Sequence, residues 1–281
     1  MARHAISIDT EDWHQAVRGG VPSEHFAGNV NRILEILAAR DVRATFFLLG
    51  ISCQAAPDAA KAIAAAGHEI QSHGYAHKDV DTMSPQEFRE DLLRAKRFIE
   101  DLAGQEVYGF RASNFSINET TPWAYDVLVE TGHRYDSSIF PVRKKRYGVD
   151  GYPPEPRILD TPGGNRIVEA PLACFDWLGK RRAIAGGGYF RLWPYWLIRK
   201  AWRQMDRLGR PGIAYVHPSE FNPGEMATFR QTVPWKERLH QGLGRGRFAR
   251  KVDRLISEFE FGPICELLAP LLKELDAPAP L

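Results

Sequence analysis

The chain has 281 residues, 44% hydrophobic and 26% charged, with a formal net charge of +2. This composition suits one sizeable α/β domain or two small ones and argues against disordered, collagen-like and membrane-spanning classes, since no apolar run nears the ~18 residues a bilayer crossing needs. With charge nearly balanced, no nucleic-acid partner is expected, and the basic runs Arg143–Arg146, Lys180–Arg182 and Arg245–Lys251 read as solvated surface.

The N-terminus, MARHAISIDTED, lacks the apolar stretch of a signal peptide. Cys53, Cys174 and Cys265 are odd in number and far apart, so no disulfide framework is suggested and a cytoplasmic location is expected. Ala5 to Ile8 reads as a buried strand that runs into Asp9, Glu11 and Asp12. Phe26, Val30, Ile33, Leu34 and Leu37 recur at helical spacing up to Arg40. Ala44 to Leu49 reads as a second strand, Ala55 to Ala66 as a helix stopped by Gly67, and Glu69 to Ser72 as a third strand ending at His73. Ser84-Pro85-Gln86-Glu87 has the form of a capping box opening a helix that runs to Gly104. Val107 to Phe110 is a strand ending at Arg111, and Thr121-Pro122 opens a helix that Gly132 ends. Tyr135 to about Gly164 reads as irregular. Pro194 opens a Trp-rich helix to Leu208, and Ile213 to Val216 is a late strand ending at His217. Residues 220–281 look like an appendage, with a Gly/Arg-rich loop and helices near Val252–Phe259 and Ile264–Leu275.

Alternating strands and helices imply a parallel sheet, open or closed. Asp9, His73, Arg111 and His217 each follow the apolar part of a strand, and in a parallel barrel those positions share the catalytic face. His73 and His77 form an HxxxH pair that would meet on one side if residues 73–77 made a helical turn. Three carboxylates within four residues repel one another, and a divalent cation would remove that cost. Two imidazoles and one carboxylate leave coordination positions open, as catalytic sites do. His217, titrating nearest neutrality, suits a proton donor. Arg111 suits the holding of a carboxylate such as Asp9. His68 reads as structural.

In this order the motifs resemble those of the NodB-type polysaccharide deacetylases (carbohydrate esterase family 4). SIDTED resembles the motif carrying base and metal acid, GHEIQSHGYAH the HxxxH motif, GFRASNFSI the arginine motif, and GIAYVHP the acid-histidine motif; ATFFLLG is also typical. YDSSIFP, GGGYFRLWP, HPSEFNP and EFGPICELL resemble a branch found in exopolysaccharide and PEP-CTERM loci, which carries a C-terminal extension. The resemblance implies a distorted (β/α) barrel of about seven parallel strands over residues 1–219, with an extension at 220–281 packed on it. It implies hydrolysis of an N-acetyl group on a sugar, a nascent glycan, or a lipid- or nucleotide-linked sugar, with peripheral membrane contact open. Deformylation or cyclic-amide hydrolysis on the same fold is the alternative, and a catalytically dead carbohydrate-binding module a further one. Asp9 would be the base, Arg111 its orienter and His217 the acid. The metal, zinc by first choice, would lie on His73, His77 and Glu11, with Asp12 the alternative acid. Asp136, Ser137, Tyr189 and Trp193 would line the sugar groove, whereas Trp196 reads as core. This chain departs from the family where Ser113-Asn114 replaces Pro-Ser. The motif that lines the acid histidine is also unclear, with Asp176-Trp177 and Trp193 as candidates.

Overall fold

A computed structural model describes residues 4–14, 22–144 and 147–277, so Lys145 and Arg146 of the first basic run lie outside the described residues. Its strands are β1 (His4–Thr10), β2 (Thr45–Leu48), β3 (Glu69–Ser72), β4 (Gly109–Phe110), β5 (Tyr135–Asp136), β6 (Arg157–Asp160), β7 (Arg166–Glu169), β8 (Cys174–Trp177), β9 (Lys180–Ala183), β10 (Ile213–Val216) and β11 (Phe261–Gly262). Nine strands make one sheet, ordered β10-β1-β2-β3-β4-β5-β7-β6, with β11 beside β1. From β10 through β7 the neighbours are parallel, and only β6 runs against its partner. The expected barrel of about seven parallel strands is thus present as a curled sheet. Its open side is bridged by single backbone hydrogen bonds, Ala173 N–H to Ile213 O at 3.0 Å and Tyr215 N–H to Ala185 O at 2.9 Å.

The curl has a direct measure. β1 and β4 are three spacings apart in the sheet, roughly 14 Å if it were flat. Yet Arg111, just after β4, reaches Asp9 on β1 at 2.7 Å. The arginine crosses the interior over the Phe47 ring, 4.2 Å away. Alternation along β1 turns Ser7 and Asp9 inward together, and Ser7 Oγ accepts from the same guanidinium nitrogen at 2.7 Å. β1, β2 and β3 are buried throughout, as strands covered on both faces must be.

Helices cover the outside. That of Pro85–Ala103 is bounded as its sequence demands, by the Ser84–Glu87 capping box and by Gly104 in the left-handed region at φ 65°. The C-terminal segment is built into the fold. β11 pairs with β1, and the helix Ile264–Leu275 closes the barrel floor. There Ile264 N–H donates to Thr45 Oγ1 at 2.7 Å and Cys265 N–H to a Glu69 carboxylate oxygen at 3.0 Å. The first turn of that helix thus meets an acceptor and a negative charge, as its unpaired N–H groups favour.

Several expectations need correction. The stretch read as irregular contains β5 and β6, and the β8–β9 hairpin was not anticipated. These strands are two to four residues long, too short to show a period. The helix expected over 55–66 is two helices, Gly50–Ala55 and Pro57–Ala65, because Pro57 can begin a helix but not continue one. Residues 73–77 are not a helical turn: Gly74 and His77 both take positive φ, 83° and 56°. Trp196 is 59% exposed and not core. Among the described residues no helix is long and apolar enough to cross a membrane.

Candidate active site

The parallel order sets the site. Strand ends β10, β1, β3, β4 and β5 deliver His217, Asp9, His73, Arg111 and Ser137 to one rim. Arg111 is fully buried and every nitrogen of its fork is used. Nε donates to Ser137 O at 2.9 Å, one terminal nitrogen to Ser7 Oγ and Asp9 Oδ1, and the other to Ser137 Oγ at 2.8 Å. A planar fork pinned at four points fixes the Asp9 carboxylate in place. Asp9 Oδ2 takes no hydrogen bond among the described residues and is left for another partner.

His73 Nδ1 lies 2.7 Å from the Arg111 carbonyl oxygen. A carbonyl only accepts, so Nδ1 carries the proton and Nε2 presents a lone pair. That lone pair faces Glu11 Oε2 at 3.7 Å, and His77 Nε2 meets the same oxygen. Glu11 Oε2 is nevertheless buried without a hydrogen-bond partner. Burial alone would raise the Glu11 carboxyl, but His77, His73 and His217 beside it hold it well below the usual range. Glu11, His73 and His77 each offer one ligand atom, all within 4.8 Å of one another. A carboxylate oxygen and two imidazole nitrogens converging in one buried place are the donor set that a divalent cation takes.

The loop that brings the imidazoles together is held from below. Tyr75 N–H donates to Asp91 Oδ2 at 2.8 Å, and Gly50 N–H and Ile51 N–H donate to Gly74 O and Tyr75 O. A Cβ on Gly74 would sit 2.9 Å from Asp91 Oδ2. The left-handed backbone of His77 is thus imposed by its surroundings, as strain at functional sites usually is.

Asp12 is occupied otherwise. Its oxygens accept from His14 N–H at 2.8 Å and Ser23 Oγ at 2.6 Å, which leaves Glu11 as the acid beside the two histidines. His217 Nε2 is 3.4 Å from Glu11 Oε1. Its other side rests on Glu220, with Nδ1 at 3.4 Å and backbone N–H at 3.0 Å from Oε2. Burial disfavours the charged ring, but the Glu220, Glu11 and Asp9 carboxylates outweigh it and lift His217 to about 9.

Glu220 was missed in the sequence. Its signal was the i, i+3 spacing of His217-Pro218-Ser219-Glu220, which makes a capping box on a 3-10 turn. The candidates for that role lie elsewhere: the Asp176 side chain is 53% exposed beside Arg181, and Trp193 packs on Phe175, Trp177 and Tyr189. Asp136 and Ser137, expected in the sugar groove, are wholly buried beneath the site. Ser137 holds Arg111. Asp136 accepts from Ser138 Oγ at 2.6 Å, and Ser138 Oγ in turn receives Ala112 N–H at 2.7 Å. Beside Asp136, buried Glu169 is pushed well above the carboxylate range by burial and by the neighbouring carboxyl, so the pair shares a proton. Tyr189 and Trp193 are half-buried, and Trp193 lines a different cavity from the one that holds Glu11. The cleft at this rim, about 510 Å³, is lined by Glu11, Trp13, Asn114, Arg191, His217 and Arg245 among others.

A polysaccharide deacetylase model matches residues 21–135, and a domain of unknown function (DUF3473) matches 137–269. Residues 21–135 thus form a polysaccharide deacetylase domain, and a DUF3473 domain follows it. A peptidoglycan deacetylase-like protein of Gibberella zeae is 34% identical over 133 residues, 46% of this chain and 38% of that protein. A peptidoglycan deacetylase of Helicobacter pylori is 31% identical over 116 residues, 41% of this chain and 39% of that protein. The chitooligosaccharide deacetylase of Bradyrhizobium sp. (strain ANU 289) is 28% identical over 141 residues, 50% of this chain and 57% of that protein. The chain therefore spans about two fifths to three fifths of these relatives' lengths. Among solved structures, a Mycobacterium smegmatis chain assigned to the polysaccharide deacetylases superposes with TM-score 0.60 at 21% identity, covering 99% of this chain and 94% of that one. Puue allantoinase also gives 0.60, at 18% identity over 93% and 87%. Both likenesses speak to the fold.

Proposed function

We propose that this protein hydrolyses an N-acetyl group on an amino sugar of a glycan, nascent polysaccharide, or lipid- or nucleotide-linked sugar. The observation that carries this reading is the buried Glu11 oxygen on which the Nε2 atoms of His73 and His77 converge, flanked by a clamped carboxylate and a carboxylate-backed histidine. Glu11, His73 and His77 would hold a divalent cation, zinc by the nitrogen–oxygen donor set. When bound, it supplies Lewis acidity toward an acyl oxygen and acidifies water.

The remaining groups fit amide hydrolysis. Asp9, held in place by Arg111, accepts a proton from water through its second oxygen as the water adds to the acyl carbon. His217, protonated at neutral pH, donates a proton to the sugar nitrogen as the C–N bond breaks. Acetate and a free amine leave. Glu220 holds His217 by Nδ1 and leaves Nε2 toward the cleft. All three acid–base partners are present, which favours an enzyme over a dead binding module. The finer setting, exopolysaccharide or O-antigen assembly in the cytoplasm, draws support from the branch wording and from three free cysteines. We place the deacetylase domain at 1–219 and the extension at 220–281, with Arg245 and Gln241 of the extension in the cleft wall.

The test pairs elemental analysis with acetate release. Zinc-loaded wild type should hold one ion per chain. His73→Ala, His77→Ala and Glu11→Gln should lose it, while Asp12→Asn keeps it. Asp9→Asn should keep the metal and lose roughly 10²–10⁴-fold in acetate release. Full zinc in the histidine variants, or undiminished turnover in Asp9→Asn, would overturn the assignment.

A further inference from the structure

On the helix Trp235–Gly242 and its C-cap, Trp235, Leu239 and Leu243 are 62, 60 and 55% exposed, and no residue of this helix is buried. Positions four apart lie on one side of a helix, so these three make a single apolar stripe. A surface helix ordinarily turns such a stripe to the core; this one turns it to solvent. The stripe continues beyond the helix. Leu243 and Leu192, the latter 55% exposed, both line a cavity of about 1160 Å³ with Trp193 and Tyr195.

The wall of that cavity is cationic. Arg40 is already held by Asp253 at 2.7 and 2.8 Å, Arg254 by Glu258 at 2.7 Å, and Lys251 by the carbonyls of Phe190, Arg191 and Trp193. Arg247 and Arg250 also line it, are exposed, and make no ion pair among the described residues.

We infer that this face docks on the surface of a bilayer containing anionic lipid. Trp235, Leu239, Leu243 and Leu192 enter the headgroup boundary, and Arg247 and Arg250 meet the headgroups. An apolar stripe edged by uncommitted arginines is the composition of an interfacial helix, and tryptophan favours that boundary. A soluble polyanion would engage the arginines and leave the stripe in water. A second copy of this chain would bring its own arginines against them. The helix also lends Gln241 to the cleft that holds Glu11 and His217, and Arg191 lines both cavities. Docking therefore sets the cleft beside the membrane, where a lipid-carried glycan would be presented. The binding surface stands apart from the deacetylase reading, because lipid binding is measured without substrate.

The experiment is co-sedimentation of the full chain with phosphatidylcholine vesicles, with and without phosphatidylglycerol. Binding should require phosphatidylglycerol and weaken with salt. An arginine near an anionic surface contributes about fivefold, so Arg247→Glu/Arg250→Glu should weaken binding by roughly tenfold or more. Leu239→Glu/Leu243→Glu should weaken it comparably. These side chains are exposed, so circular dichroism should match wild type, and acetate release from a soluble oligosaccharide should be unchanged. No binding to phosphatidylglycerol vesicles, or binding indifferent to both variants, overturns the proposal. So does a dimer by light scattering that Leu239→Glu dissociates, which assigns the stripe to a second copy.

Discussion

Lowering the pH should destabilise this protein through His133, a buried ring just upstream of the strand that delivers Ser137 to Arg111. Its Nδ1 lies 3.0 Å from Thr131 Oγ1, whose own proton is committed to the Val127 or Leu128 carbonyl. Nδ1 is therefore the protonated nitrogen, and Nε2 is buried without a partner. A proton added at Nε2 would find no acceptor and would face Lys96. Burial first and Lys96 second depress the ring from 6.5 to about 3. Below 6.5 the unfolded chain binds a proton that the folded chain refuses, so stability falls as pH falls, until the folded ring titrates near 3. Each unit is about 1.4 kcal/mol, so going from about pH 7 to about pH 5 removes roughly 2 kcal/mol. His133→Leu abolishes the titration. Urea unfolding of both proteins at the two pH values, with chelator present and fluorescence and circular dichroism transitions coincident, gives the comparison. The variant's decline should be smaller by that amount. Equal declines would refute the argument that Nε2 is shut off from a proton.

Two further changes probe the walls of the cleft. Arg245→Met removes the charged partner of Glu225, 2.6 Å away with both side chains essentially inaccessible, and leaves a buried carboxylate with a 3.4 Å contact from Asn29 Nδ2 but no countercharge in that place. The cost should be about 3–5 kcal/mol, read as a fall in Tm of the metal-free protein; an unchanged Tm would show that the pair is not isolated from water. Gly187→Ala places a methyl within 1.8 Å of a Glu220 carboxylate oxygen, so it should displace the support of His217. Acetate release should drop about tenfold or more with metal content intact, and an undiminished rate would remove Glu220 from the acid's support.

Most of the catalytic rim could be read before the fold was known, because in a parallel α/β chain a polar residue directly after a short apolar run sits at a strand end. Asp9, His73, Arg111 and His217 all obeyed that rule. What failed was the local geometry between them. His73 and His77 converge through a loop strained at His77, not through a helical turn, because Asp91 and the backbone of Gly50 and Ile51 grip the segment from outside it. Asp136 and Ser137 were expected in the groove only through the family resemblance. They lie instead under Arg111, and a buried guanidinium needs acceptors beneath it as well as the carboxylate above.

The sequence by itself determined the period of the elements, the parallel order and the set of residues at the rim, since burial pattern and strand-end position are written in consecutive residues. Only the tertiary structure set Glu11 and not Asp12 beside His73 and His77, named Glu220 as the neighbour of His217, and turned Trp235, Leu239 and Leu243 outward. Each of those outcomes depends on which side chain already has a partner, and the partners, Ser23 for Asp12 or Arg191 for Glu220, are supplied by segments distant along the chain or by a turn whose direction no periodicity records.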